Sequence, residues 1–135
     1  MEAEGRCYCG AVRYHASGEP LFRAQCHCRE CQYISGGEPA VVMAMPESGF
    51  RYTKGSPRAF RRSDLESPVK REFCGECGTH LLTRAPALAG AVLIKVGTLD
   101  DPSLFGMPQM AIFTGEKQGF HQIPPGIPTF ERMPG

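Results

Sequence analysis

Apolar, β-branched and aromatic residues recur along this chain in short runs separated by segments rich in glycine and proline. The runs are Val12 to His15, Val41 to Met45, Phe50 to Thr53, Ala59 to Arg62, Val69 to Phe73, Leu81 to Arg84 and Val92 to Val96. Runs of this length between turn residues predict strands. The punctuation includes Gly18-Glu19-Pro20, Gly36-Gly37-Glu38-Pro39, Gly55-Ser56-Pro57 and Asp100-Asp101-Pro102, residue types that favour turns. No long stretch keeps an uninterrupted helical apolar period. The pattern predicts an all-β fold, an irregular domain of several small antiparallel sheets. From Ile123 to Gly135, Pro124, Pro125, Pro128 and Pro134 remove backbone donors. That segment is expected to wrap the surface in extended form rather than to enter a sheet as a central strand.

The chain has 135 residues, a length that predicts one domain over residues 1–135 with a core of its own. Fifteen Lys and Arg residues against fourteen Asp and Glu give a net charge of +1, with no basic tail or run. Binding nucleic acid by electrostatics is not expected. The longest apolar runs, Ala40 to Met45 and Ala87 to Ile94, fall far below the roughly 18 to 20 residues that a membrane-spanning helix needs, so no membrane partner is expected either. Met1 to Arg6 carries acidic residues where a secretory signal would carry basic charge and then an apolar stretch, which makes the cytoplasm the expected location.

Seven cysteines change the picture. An odd number cannot all pair within one chain, and thiols in a reducing compartment more often bind metal than form a disulfide framework. They fall into groups: Cys7-x-Cys9, Cys26-x-Cys28-x-x-Cys31 and Cys74-x-x-Cys77. A structural zinc takes four ligands in a closed tetrahedron, commonly from two short cysteine turns, and Cys7, Cys9, Cys74 and Cys77 fit that description. Gly10 and Gly78 close the two turns and are expected to let backbone N–H groups face sulfur. A disulfide pair or unliganded buried thiols are the competing readings of these residues. The triplet Cys26, Cys28 and Cys31 supplies three ligands, the number that leaves an open position for a water or a substrate thiolate. It competes with two alternatives: closure by His27, His80 or Glu30, or a redox cluster. In an extended segment the His27 side chain points away from Cys26 and Cys28.

These residues carry a family resemblance over nearly the whole chain. Cys7-Tyr8-Cys9-Gly10-Ala11-Val12, Cys26-His27-Cys28-Arg29-Glu30-Cys31-Gln32 with Ser35-Gly36 behind it, Phe73-Cys74-Gly75-Glu76-Cys77-Gly78-Thr79 and Gly97-Thr98-Leu99-Asp100-Asp101-Pro102 resemble the glutathione-dependent formaldehyde-activating enzyme family, also called the CENP-V/GFA domain. The resemblance implies a Mss-four-like fold of small β-sheets stapled by zinc, with two zinc ions per chain. It places a structural zinc on Cys7, Cys9, Cys74 and Cys77, and a labile zinc on Cys26, Cys28 and Cys31 near where glutathione binds. One departure is visible. Many members carry a tryptophan in a segment after the last β-stretch, whereas this chain has Gly119-Phe120-His121 there and no tryptophan. Phe120 serves either as an apolar wall of the pocket or as a surface aromatic.

The implied reaction is addition of glutathione or a similar thiol to formaldehyde or another small aldehyde, giving an S-hydroxyalkyl adduct, a carbon–sulfur lyase written in reverse. Cys26, Cys28 and Cys31 are then the catalytic residues, and Arg29, Arg61, Arg62 and Arg71 are available for substrate carboxylates. An alternative is a non-enzymatic zinc protein that binds glutathione or its adducts. A third class, a zinc-stabilised interaction domain like the chromosome-associated and GTPase-binding members of the broader superfamily, requires a closed second site.

Overall fold

Side chains alternate between two apolar faces along the central runs because both sides of one sheet are covered. The computed structural model describes residues 1–134. Its strands are β1 (Glu2–Arg6), β2 (Arg13–Ser17), β3 (Phe22–Cys26), β4 (Ala40–Pro46), β5 (Phe50–Lys54), β6 (Arg58–Phe60), β7 (Lys70–Phe73), β8 (His80–Arg84), β9 (Ala91–Lys95) and β10 (Met110–Ile112), with one short helix, α1 (Arg29–Ser35), after β3. All seven runs read from the sequence are strands, with ends displaced by at most two residues. One of the two largest displacements trims Ala59 to Arg62, where the strand stops at Phe60 and leaves Arg61 and Arg62 outside the ladder. Among the described residues no helix is long and apolar enough to cross a membrane.

Two sheets result. One has the order β1-β2-β5 and the other β10-β3-β4-β9-β8-β7-β6. All pairings are antiparallel except that of β10 with β3. That parallel pair is the one the small-antiparallel-sheet pattern does not foresee; the long connection from β3 to β10 lets the chain return in the same direction.

The period-2 geometry of the central strands sorts their side chains between two cores. Met43 and Met45 of β4, with Val92 and Ile94 of β9, join Tyr14, Leu81 and Leu82 in the larger core. Val42 of β4 turns to the other side and meets Ala24, Cys26, Cys31 and Ile112, with Leu93 packed against them. On β1 the inward positions are Ala3 and Gly5. A Cβ at Gly5 would run into the Tyr14 ring and the Thr98 carbonyl, so the strand can approach only without a side chain there. The proline-rich tail is extended as expected. It runs along β10, where Ala111 N–H donates to Pro128 O at 3.0 Å and Phe130 N–H to Ala111 O at 2.9 Å, covering an otherwise open edge.

A buried polar latch ties the sheets together. The Glu72 carboxylate on β7 is almost fully buried; it accepts from Tyr52 Oη on β5 at 2.6 Å and from Arg84 Nε on β8 at 2.6 Å. Burial alone would raise the Glu72 pKa, but the bonds from Tyr52 and Arg84 outweigh it and hold the carboxyl below its usual value. The same contact, with burial, pushes the Tyr52 hydroxyl well above its ordinary value. Because Arg84 is partly exposed, its charge remains hydrated when its partner is removed, so the cost is below the full penalty for a buried orphan charge. Glu72→Gln is therefore expected to lower stability by about 1–3 kcal/mol at pH 7, read from urea denaturation. A depressed folded-state pKa contributes stability that is complete above the ordinary carboxylate value of about 4.3 and is lost as the pH falls through and below it. The gap between parent and variant should narrow on acidification, and a gap independent of pH would overturn the assignment.

Candidate functional site

Cys7 and Cys9 lie on the turn between β1 and β2, and Cys74 and Cys77 on the turn between β7 and β8. Gly10 and Gly78 both adopt φ of +80°, where a side chain would be strained. Their own N–H groups close the turns onto Cys7 O at 3.1 Å and Cys74 O at 2.8 Å. The amides that reach sulfur belong to Val12, 3.3 Å from Cys7 Sγ, and Glu76, 3.3 Å from Cys74 Sγ. Thr79 joins the two turns: its Oγ1 accepts from Tyr8 N–H at 3.0 Å and lies 3.2 Å from Cys77 Sγ. The four sulfurs lie within 4.8 Å of one another, with Cys7 to Cys9 at 3.7 Å and Cys9 to Cys74 at 3.8 Å. A tetrahedron with metal–sulfur bonds of about 2.3 Å has its sulfurs about 3.8 Å apart, so these residues fit around one ion.

Their proton affinities diverge. The Thr79 hydroxyl and backbone lower Cys77 to about 5. Cys9 is raised to about 11: the Ala11 backbone favours its thiolate, but desolvation and the other three sulfurs oppose it. A dication in their midst would favour deprotonation of all four.

The second group sits where β3 passes into α1. Cys26 ends the strand, and Cys28 caps the helix by accepting the Cys31 N–H at 3.3 Å. Gly36, at φ of +82°, stops the helix after seven residues. The three sulfurs again lie within 4.8 Å of one another, and no histidine or carboxylate among the described residues joins them. Each candidate for a fourth ligand lies outside the cluster. Glu30 pairs with Arg71 at 2.8 Å. His80 stacks on Phe73 with ring centroids 5.3 Å apart.

His27 is fully buried and turned away from the sulfurs, its Nδ1 lying 3.0 Å from Nδ1 of His121 and its Nε2 3.1 Å from the Gln25 amide oxygen. His121 Nε2 faces the Gly37 carbonyl at 2.7 Å, and a carbonyl only accepts, so Nε2 carries the proton. His121 Nδ1 then accepts from Gln118 N–H at 3.2 Å and packs 3.0 Å from His27 Nδ1. Gln32 completes the support, donating from Nε2 to His27 O at 2.8 Å and to Glu116 O at 2.9 Å. The sequence reading assigned no role to His121 or Gln32: neither carries a spacing signal, and their long-range partners lie 84 to 94 residues away. Phe120 is a surface aromatic, edge-on to His121 at 4.9 Å.

Positive charge surrounds this group. Cys31 is lowered to about 3, first by hydrogen bonds from Cys26 and Cys28 and then by the charges of Lys95 and Arg71. Cys26 is pushed far up by the same sulfur contacts. Lys95, on β9, is itself lowered by burial. Of the four arginines considered from the sequence, Arg71 is the one whose charge acts on Cys31, while its guanidinium pairs with Glu30 at 2.8 Å. Arg29 lies over the Tyr33 ring, 4.8 Å from its centroid; Arg62 pairs with Asp64 at 2.6 Å; and Arg61 lines a separate surface depression beside Arg84. A cleft of about 550 Å³ opens beside α1, lined by Glu30, Ile34, Phe60, Val69, Arg71 and His80 among others.

The fold and these clusters define a small β-protein organised around two groups of thiols that can each hold a metal ion. The chain belongs to the glutathione-dependent formaldehyde-activating enzyme family, whose sequence profile matches residues 2–116. It is similar in fold to a Rhodobacter sphaeroides protein of known crystal structure, at 19% identity and a TM-score of 0.62, over 93% of this chain and 98% of that one. Comparison with curated proteins gives no match.

His121→Ala removes the ring that faces the buried His27 Nδ1 and the donor to Gly37 O. It is expected to lower stability by about 1–3 kcal/mol, measured by urea denaturation, and a variant as stable as the parent would show that the histidine contact bears no load.

Proposed function

We propose that this chain, as one domain over residues 1–135, is a zinc-dependent enzyme of the carbon–sulfur lyase type. It adds glutathione or a similar thiol to formaldehyde or another small aldehyde. The observation that carries this reading is the incomplete donor set of the triplet: Cys26, Cys28 and Cys31 converge, while His27 and Glu30 are engaged elsewhere and His80 stays outside the cluster. The all-thiolate donors of both clusters suit zinc. Cys7, Cys9, Cys74 and Cys77 would hold a structural ion, and Cys26, Cys28 and Cys31 a labile one.

Zinc bound at the triplet would supply Lewis-acid charge that ionises a substrate thiol or polarises a carbonyl oxygen. In the addition, the S–H bond and the carbonyl π bond break, a C–S bond and an O–H bond form, and the thiol proton ends on the former carbonyl oxygen. Lys95 and Arg71 hold positive charge beside the triplet, favouring a substrate thiolate and then the oxygen that becomes negative as the C–S bond forms. Gln32 and His121 fix the segment that bears the cysteines, so little reorganisation is required. Free thiols throughout suit a reducing compartment, and we place the protein in the cytoplasm, with small molecules rather than nucleic acid or membrane as its partners.

Elemental analysis of reduced protein is expected to give about two zinc ions per chain, falling to about one on dialysis against glutathione and unchanged with an inert thioether analogue. A zinc content indifferent to glutathione would sink the labile-site mechanism. Cys74→Ser should unfold or aggregate the protein, because structural thiolate sites contribute folding energy directly. Cys28→Ser should instead melt like the parent, retain one zinc ion, and reduce adduct formation to the spontaneous rate. Parent protein that never exceeds that rate while still binding glutathione would identify a carrier rather than an enzyme.

A further inference from the structure

The cleft beside the triplet has a chemistry of its own. Its walls are Tyr33, Ile34, Phe60, Pro68, Val69 and Phe73; Tyr33 and Phe60 stand largely exposed at its edge, although large apolar side chains usually find cover. Its cations are already neutralised. Arg71 Nη2 lies 2.8 Å from Glu30 Oε1, and Arg62 lies 2.6 Å from Asp64 and 3.7 Å from Glu30 Oε2. Two carboxylates thus answer two guanidinium groups, and a glutathione carboxylate entering here would meet no unpaired cation among the lining residues. A volume of about 550 Å³ falls in the range of sites that enclose a drug-sized ligand, far more than formaldehyde fills. The cleft is also next to the chemistry. Glu30 and Ile34, which line the cleft, share helix α1 with Cys31, and Arg71, which also lines it, is held against that helix by Glu30 at 2.8 Å.

We infer that this cleft receives the carbon skeleton of the aldehyde: the preferred substrate carries an uncharged aromatic or branched aliphatic group, which lies between Phe60, Val69 and Ile34 while its carbonyl carbon meets a thiol at the triplet. The inference rests on the thiol-addition reading above and deepens it. An apolar group displaces poorly held water from these walls, and the compensated ion pairs exclude an anionic one. His80 also lines the cleft, and its buried Nδ1 has no hydrogen-bond partner.

Stable thioethers of glutathione stand in for the adducts. Calorimetric titration of the parent protein is expected to show S-benzylglutathione binding at least about tenfold more tightly than S-methylglutathione, the scale on which an apolar pocket discriminates. Val69→Asp, which puts a carboxylate into the wall, should collapse that ratio towards one. Phe60→Ala, at an exposed position on an edge strand, should reduce it as well without burdening the fold, and thermal melts confirm that each variant is folded. Equal affinities for the two thioethers in the parent, or a benzyl preference that survives in both folded variants, would overturn the cleft assignment and leave thiol addition at the triplet standing. If neither thioether nor glutathione binds, the thiol-addition reading falls too.

Discussion

Sulfur meets sulfur across about half the length of this chain, and the rest of the arrangement depends on that meeting. Cys9 of the turn at residues 7–10 and Cys74 of the turn at residues 74–78 are 65 residues apart in sequence, and the thiols of the two turns come within 4.8 Å of one another. The first turn hangs from the three-stranded sheet and the second from the seven-stranded one, so their junction pins the sheets at one end. Glu72 pins them elsewhere, through Tyr52 on one sheet and Arg84 on the other. Between these fixed points the larger core can be built from modest side chains. Its biggest fully buried members are Tyr14, two methionines and several branched aliphatics, with no tryptophan in the chain to fill space. A core of that kind gains from cross-links that reduce the freedom of the unfolded chain.

The seven-stranded sheet then divides the molecule into two working faces. Met43, Met45, Val92 and Ile94 face the region stapled by the first cysteine group, whereas Val42 and Leu93 face the triplet. The two cysteine groups are therefore placed on opposite sides of the same two strands. The triplet face has a smaller core and a seven-residue helix, too short to persist without tertiary support. Support comes from Gln32, Glu116 and the His27–His121 contact, all of which reach into the chain after β10. The tail is consequently part of the site's foundation, although none of its residues approaches the sulfurs as a ligand.

How much of this was legible in the sequence depends on whether a residue's role was written in its neighbours. The seven strands with β-branched or aromatic content stood out because both faces needed apolar residues. β1 did not, because its inward positions are Ala3 and Gly5, and Gly5 is glycine precisely where Tyr14 and the Thr98 carbonyl leave no room for a Cβ. β3 was hidden in the same way, with Ala24 and Cys26 inward, and α1 was too short to display a helical period. The cysteine spacing carried both sulfur groups, since each ligand pair is local in sequence. Lys95 and His121 carried no such signal. Lys95 sits in an apolar run that reads as core, and only the strand alternation turns it to the side of Leu93 and the triplet.

The electrostatics of the triplet side follow from that placement. Lys95 and Arg71 both favour negative charge at sulfur, but they are not equivalent. Arg71 is held by Glu30 and contacts the Thr83 hydroxyl at 3.5 Å, so its field is partly cancelled towards the cleft. Lys95 forms no salt bridge among the described residues, and burial disfavours its charge. Any charge that Lys95 carries favours the thiolate form at the triplet. The guanidinium groups of the cleft beside α1 are answered by their own ion pairs. One small region thus offers a charged place for a sulfur and an uncharged place for a carbon chain, the two requirements of joining a thiol to an apolar aldehyde.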